Sequence, residues 1–134
     1  MYKKSIKYVD YDGNEREEDF YFNINKAELA EMELSTSGGL EKMITRIINE
    51  KDNREIVKLF KQLITMSYGK KSDDGRRFIK SPELSKEFTE TEAFSELFME
   101  LAGDADAAAA FVNGIVPSVP GTAEVSAANI KQVK

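Results

Sequence analysis

The chain has 134 residues, 41% of them hydrophobic, which fits one folded domain with a real core. It contains no cysteine and no histidine, so disulfides, thiolate metal sites, cysteine nucleophiles and histidine bases are excluded. No apolar run approaches the roughly 20 residues that a membrane helix needs. We therefore expect a small, soluble, helix-rich protein that works by binding, with no catalytic residues, no metal, no cofactor and no membrane partner.

The charges of this acidic chain are unevenly distributed. The net charge of −5 disfavours broad binding to nucleic acid, so we consider a nucleic-acid partner unlikely. Residues 51–81 nevertheless contain nine Lys or Arg against four Asp or Glu, whereas residues 83–106 contain eight acids against one lysine. Such polarity can lock neighbouring helices together or steer a partner, or it can simply mark two solvated helix faces.

The first segment has the pattern of a β-hairpin. Residues 3–11 alternate between polar and apolar side chains, and an Asp-Gly pair that ends at Gly13 favours a tight turn. The return strand, residues 16–22, places Phe20 and Phe22 on one face. Because an isolated hairpin is marginally stable in water, we expect this aromatic face to pack on helices.

Three helices are predicted next. Asn25 and Glu28 form a capping-box pattern at the start of the first one. Residues 40–48 carry apolar side chains at i, i+3, i+4, i+7 and i+8, which is typical of a buried helical stripe. A third helix, residues 54–68, has a wide apolar arc and is predicted to lie centrally. We expect Gly69 to end it in the left-handed conformation.

A turn separates the third helix from the next one. Asp-Gly at Gly75 favours that turn, and residues 76–80 fit a short extended piece. Ser81 then has the pattern of an N-cap, because a proline and a glutamate follow it.

The remaining chain is predicted to be helical up to a tail. Residues 83–102 form one helix or two, because residues 89–92 offer a second helix start. An alanine-rich helix over residues 104–113 follows, and Gly114 and Pro117 are expected to stop it. Residues 118–134 lack apolar periodicity and are predicted to be a flexible C-terminal tail.

Together these elements predict a mostly α (α+β) fold in which an N-terminal β-hairpin packs on a bundle of about five helices. Residues 1–117 would be the single domain.

Two short patterns are compatible with ligand binding, but each departs from its motif. Residues 69–72 match the end of a phosphate-binding loop, yet Ile64 stands where the first glycine is required. Residues 10–14 match the start of a calcium loop, yet Glu15 stands at the required glycine and Tyr21 at the closing glutamate. A turn explains residues 10–14 better, and residues 69–72 follow a predicted helix where the phosphate-binding motif requires a strand.

The most distinctive chemistry is a compact basic and aromatic patch. Its cations could contact nucleic-acid phosphates, but the acidity of the chain favours docking to an acidic protein surface. The candidate protein-binding residues are Lys70, Lys71, Arg76, Arg77, Phe78 and Lys80.

Four stretches carry a resemblance to a known family: DFYFN at residues 19–23, YGKKSDDGRRFIKS at 68–81, SELFMEL at 95–101 and FVNGIVP at 111–117. They resemble tail assembly chaperones from the tail modules of phages and prophages of Gram-positive bacteria. The resemblance covers most of residues 2–117, and its motifs are not catalytic signatures.

The resemblance implies a non-enzymatic protein of the host bacterial cytoplasm. Such a chaperone binds the phage tape-measure protein, keeps it soluble and helps to recruit tail tube subunits. The family has no residues fixed enough to transfer a site by position, and self-association is possible. Two alternatives remain open: a structural virion protein, such as a head–tail connector or completion protein, and a phage-encoded binder of a host factor.

Overall fold

The computed structural model describes residues 1–35 and 53–117, with the side chains of residues 1–32 and 57–117. The described part contains a four-stranded antiparallel sheet of order β1-β2-β3-β4 and five helices. The strands are β1 (Tyr2–Val9), β2 (Glu15–Phe22), β3 (Tyr68–Lys71) and β4 (Phe78–Ile79). The helices are α1 (Lys26–Ser35), α2 (Asn53–Ser67), α3 (Pro82–Thr89), α4 (Glu92–Gly103) and α5 (Ala105–Ile115). The predicted fold class is confirmed.

The turn of the first hairpin is held by its own side chains. Gly13 has a φ of +83°, as the Asp-Gly pattern predicts. The Asp10 carboxylate accepts the backbone N–H groups of Asp12 and Asn14, each at 2.9 Å, and forms an ion pair with Arg16. The hydrogen bond from Arg16, followed by the backbone hydrogen bonds, lowers the pKa of Asp10 to about 2.

The inner face of the hairpin forms part of the core. Ile6 and Phe22 are buried, and the Phe22 ring lies 5.3 Å from the ring of Phe111 and 5.8 Å from those of Tyr68 and Phe88. Strands β2 and β3 and helices α3 and α5 therefore meet at one aromatic cluster, as the hairpin's marginal stability requires.

Side-chain caps begin the helices where the sequence predicts them. Asn25 Oδ1 accepts the N–H of Glu28 at 2.8 Å, and Glu28 Oε1 accepts the N–H of Asn25 at 2.9 Å. Ser81 caps α3 by accepting the N–H of Leu84 at 3.1 Å. Thr91 caps α4, so the segment over residues 83–102 is two helices rather than one.

Gly69 does not end a helix, contrary to the prediction. Helix α2 ends at Ser67, and Tyr68 begins β3, which adds to the hairpin sheet. Among the described glycines only Gly13 and Gly75 have a positive φ. A Cβ at Gly69 would lie 2.6 Å from Phe78 Cε2, so glycine is needed there for close approach and not for a turn.

Gly114 does not stop the last helix either. It lies within α5, which continues to Ile115, and Ile115 accepts the backbone N–H of Ile24 at 2.7 Å. A Cβ at Gly114 would lie 2.5 Å from Cδ1 and 3.0 Å from Cβ of Tyr2. The glycine therefore lets the last helix approach the first strand.

Two predicted segments, the apolar stripe over residues 40–48 and the tail over residues 118–134, lie outside the described residues. The single domain over residues 1–117 stays a prediction.

Replacing Leu97 with alanine should lower the free energy of unfolding by about 2–5 kcal/mol, because a buried side chain leaves a cavity. Leu97 lies on the side of α4 that faces the core and is only 1% exposed. Met99, on the same helix, is 65% exposed, so Met99→Ala should change the value by less than about 0.5 kcal/mol. Urea unfolding followed by circular dichroism measures both; equal effects would contradict the assigned orientation of α4.

Gly114→Ala should destabilise the protein, although alanine normally favours a helix by about 1 kcal/mol over glycine. The reason is that the added Cβ would clash with the ring of Tyr2, because it would lie 2.5 Å from Cδ1. Gly103→Ala at the end of α4 is the matched control, because a Cβ there meets no atom within 4 Å. Thermal unfolding should show a lower Tm for Gly114→Ala and an unchanged or higher Tm for Gly103→Ala.

The Tyr2→Ala background tests the cause of the Gly114 effect. There Gly114→Ala should cost much less, since the clashing ring is gone; an undiminished cost would place the strain elsewhere.

Candidate protein-binding surface

The candidate residues lie on a second hairpin, β3–β4, which is anchored to the first. The N–H of Asn23 donates to Ser67 O at 2.7 Å, and β3 pairs with β2 at Tyr21↔Gly69 and Phe22↔Tyr68. The Ser67 hydroxyl is buried and donates to Leu63 O at 2.7 Å. The base of the hairpin is therefore fixed by backbone pairing and by the end of α2.

The loop of this hairpin, residues 72–77, is ordered by short polar side chains. Asp74 Oδ1 accepts the Ser72 hydroxyl at 2.7 Å and the N–H of Arg76 at 3.0 Å, while Ser72 Oγ accepts the N–H of Arg77 at 3.0 Å. Gly75 has a φ of +74°, as predicted for the Asp-Gly turn. The hydrogen bond from the Arg76 N–H, followed by that from the Ser72 hydroxyl, lowers the pKa of the Asp74 carboxyl group.

Four of the candidate cations are exposed to solvent: Lys70, Lys71, Arg76 and Arg77. Arg76 and Arg77 lie at the end of the loop, and Lys70 lies on β3. None of Lys70, Arg76 and Arg77 has a carboxylate within ion-pair distance among the residues that the structure describes. Because their backbones are fixed while their guanidinium and ammonium groups are free, they can contact an acidic partner without a large loss of backbone entropy.

Lys71, Phe78 and Lys80 differ from these three because they contact the protein itself. The Lys71 ammonium lies 4.6 Å from the centroid of the Tyr21 ring. Lys80 Nζ lies 2.7 Å from Glu28 Oε2 and 5.8 Å from the Phe78 ring, so it connects β4 to the first turn of α1.

The predicted patch is therefore one hairpin with two kinds of residue. Strand alternation places Lys70 on the face opposite Lys71, and the Lys80–Glu28 ion pair spans 52 residues of sequence. The sequence did not predict that Tyr21 and Glu28 contact lysines of this hairpin, because both contacts join residues that are far apart in the chain. The one available signal was that an aromatic ring and a carboxylate can each bind a lysine.

A groove that the sequence did not reveal separates the two hairpins. Its volume is about 680 Å³, and its lining comes from β2, β3, the β3–β4 loop and α3. Its lining includes two lysines, Lys70 and Lys71, and three acidic residues, Glu18, Asp19 and Glu87. The groove is open, and polar and apolar residues share its lining, unlike an enclosed and mostly apolar small-molecule site.

The described residues offer little for metal or membrane chemistry. No group of three or more carboxylates in residues 1–35 and 53–117 could hold a metal ion. No helix within those ranges is long and apolar enough to cross a membrane.

A small α+β protein with an exposed cationic hairpin and an open groove has the features of a protein-binding module. The sequence profile of a phage tail assembly chaperone family matches residues 1–128. The chain therefore belongs to the phage tail assembly chaperone family. The family indicates a non-enzymatic role that involves binding tail proteins. No curated protein and no solved structure matches the chain significantly.

Replacing Lys80 with methionine should lower the free energy of unfolding by about 1 kcal/mol, because it removes a partly buried charged hydrogen bond but keeps the apolar stem. Lys70→Met on the neighbouring strand is the control and should have an effect below about 0.5 kcal/mol. Chemical denaturation measures both variants. A larger effect at Lys70 would mean that Lys70, and not Lys80, is the lysine that stabilises the fold.

Proposed function

We propose that this protein is a non-enzymatic chaperone that binds the phage tape-measure protein in the cytoplasm of the host bacterium and assists assembly of the tail tube. The family match over residues 1–128 carries the general role. The tail tube protein is a further partner under this proposal, and a Gram-positive host stays a prediction.

The contact with the tape-measure protein is assigned to the β3–β4 hairpin, with Lys70, Arg76 and Arg77 as its principal residues. These cations are exposed on a fixed backbone. Lys71 and Phe78 contribute the neighbouring surface beside Tyr21, whereas Lys80 acts mainly by holding the hairpin to α1. An acidic stretch of the partner would complement the exposed charges, and the acidity of the rest of the chain would orient it on approach.

The test is co-expression with the tape-measure protein of the same phage. The wild-type chain should keep that protein soluble and co-purify with it. The double variant R76E/R77E should weaken the complex, more strongly at low salt than at high salt, because exposed charges are screened over about 8–10 Å. The two side chains bond to nothing in the described structure, so the variant should keep its Tm.

The matched control is K26E/K86E, which changes the net charge by the same amount at two exposed lysines of α1 and α3. It should leave the complex nearly unchanged. Equal weakening by both double variants would show that only net charge matters and would remove the hairpin from the interface.

Two other outcomes would replace the proposal. A fixed copy number in purified virions would favour a connector or completion protein. Binding to a host factor, without any effect on the tape-measure protein, would favour a regulatory role.

A further inference from the structure

Within the part of the chain that the structure describes, one edge of strand β2 is largely unpaired. The strand pairs with β1 along its whole length, from Tyr2↔Phe22 to Val9↔Glu15. It pairs with β3 only at Tyr21 and Phe22, because β3 then turns away to pair with β4. Residues 15–20 therefore pair with a neighbouring strand on one side only, as far as the described residues show.

The backbone groups that face this open edge can be identified from the pairing. The N–H of Asn23 donates to Ser67 O across β2–β3, so the odd-numbered residues of β2 point their backbone groups toward β3. The same alternation directs Glu15, Glu17 and Asp19 outward. No hydrogen bond within the described residues uses their outward N–H groups.

The groove of about 680 Å³ lies beside the end of this edge at which β2 pairs with β3 through Tyr21 and Phe22, which we call the closed end. Its lining includes consecutive residues of β2, from Glu18 to Tyr21, and of β3, from Tyr68 to Lys71. The two diverging strands thus form two walls of the groove. A further strand that paired with the outer edge of β2 would run between these walls. Unpaired strand edges bind extended peptides through main-chain hydrogen bonds.

Charge decides which segment fits. Residues 15–19 carry four carboxylates and one arginine. Among the described residues, Glu15 and Glu17 have no cation within ion-pair distance; Glu17 accepts only the Ser5 hydroxyl, at 3.4 Å. The β2 strand of a second copy would bring the same negative charges and would be repelled. A segment with lysine or arginine at alternate positions would be attracted.

We propose that the open edge of β2 binds an extended, cationic segment of a partner polypeptide, which adds to the sheet as a strand in the groove between β2 and β3. Its cations lie opposite Glu15 and Glu17, and its residue at the closed end, beside Lys70, is uncharged. Arg76 and Arg77 of the β3–β4 loop do not line the groove, whereas Lys70 does. The chain therefore has one face for an acidic partner and one edge for a basic segment, and the two adjoin at Lys70.

The probe is a capped, fluorescein-labelled peptide of alternating lysine and valine, added to the full chain and followed by fluorescence anisotropy. The wild-type chain should bind it, and a glutamate-valine peptide of the same length should not bind. Absence of binding by the lysine-valine peptide at low salt would overturn the proposal.

The decisive variant is Glu17→Pro, which removes an outward N–H without removing a bond of the β1–β2 ladder. It should weaken binding about threefold to tenfold more than Glu17→Gln, which removes only the charge. Lys7→Pro is the matched control, because Lys7 lies directly opposite Glu17 and its N–H points to the other edge of the hairpin. Lys7→Pro should not weaken binding. If Glu17→Pro and Glu17→Gln weaken binding equally, the contact is electrostatic only and the strand addition is wrong.

A measurement on the wild-type chain avoids any folding defect of the proline variants. Two lysine-valine peptides, N-methylated on alternate sets of amides, should differ: one should lose binding and the other should keep it, because a strand presents only every second N–H to its neighbour. Backbone amide exchange of Glu17 and Asp19 should slow when the unmethylated peptide binds. Equal binding by both methylated peptides would overturn the proposal. These peptide results are independent of the tape-measure experiment, so either can fail alone.

Discussion

The ring of Phe22 is the contact on which the described fold depends. It is fully buried at the end of β2 and meets Tyr68 of β3, Phe88 of α3 and Phe111 of α5. Tyr68 and Phe88 are themselves stacked, with centroids 4.3 Å apart and planes 9° from parallel. Because each partner ring belongs to a different element, this one side chain ties the hairpin to the helices and gives the marginal β1–β2 pair its stability.

The same cluster positions the surfaces that are available for binding. Tyr68 fixes the start of β3, so the cationic β3–β4 hairpin leaves the core at a set place beside β2. The short β2–β3 pairing, limited to Tyr21 and Phe22, then opens the groove, and within the described residues it leaves the acidic edge of β2 without a partner strand. Basic and acidic surfaces therefore adjoin at one groove, and this arrangement would let one small protein contact two chemically different segments.

The sequence by itself predicted the features that depend on a few neighbouring residues. The Asp-Gly turns at Gly13 and Gly75, the capping box at Asn25 and the cap at Ser81 all occur as predicted. The sequence left one helix or two open over residues 83–102, and the structure has two, with Thr91 as the second cap. Their physical basis is local, because a positive φ or a free N–H is satisfied within a few residues of chain. The buried apolar arc of α2 and the fold class followed from periodicity for the same reason.

Only the tertiary structure decided the features that join distant segments. It made Tyr68 the start of a strand, placed Gly69 under the ring of Phe78 and Gly114 against Tyr2, and took Lys80 out of the free cationic patch. The sequence cannot distinguish a glycine needed for close packing from one that ends a helix, nor a lysine in an ion pair from an unpaired lysine. The sequence therefore showed where the cations are, while the fold determined which of them, and which strand edge, are left for a partner.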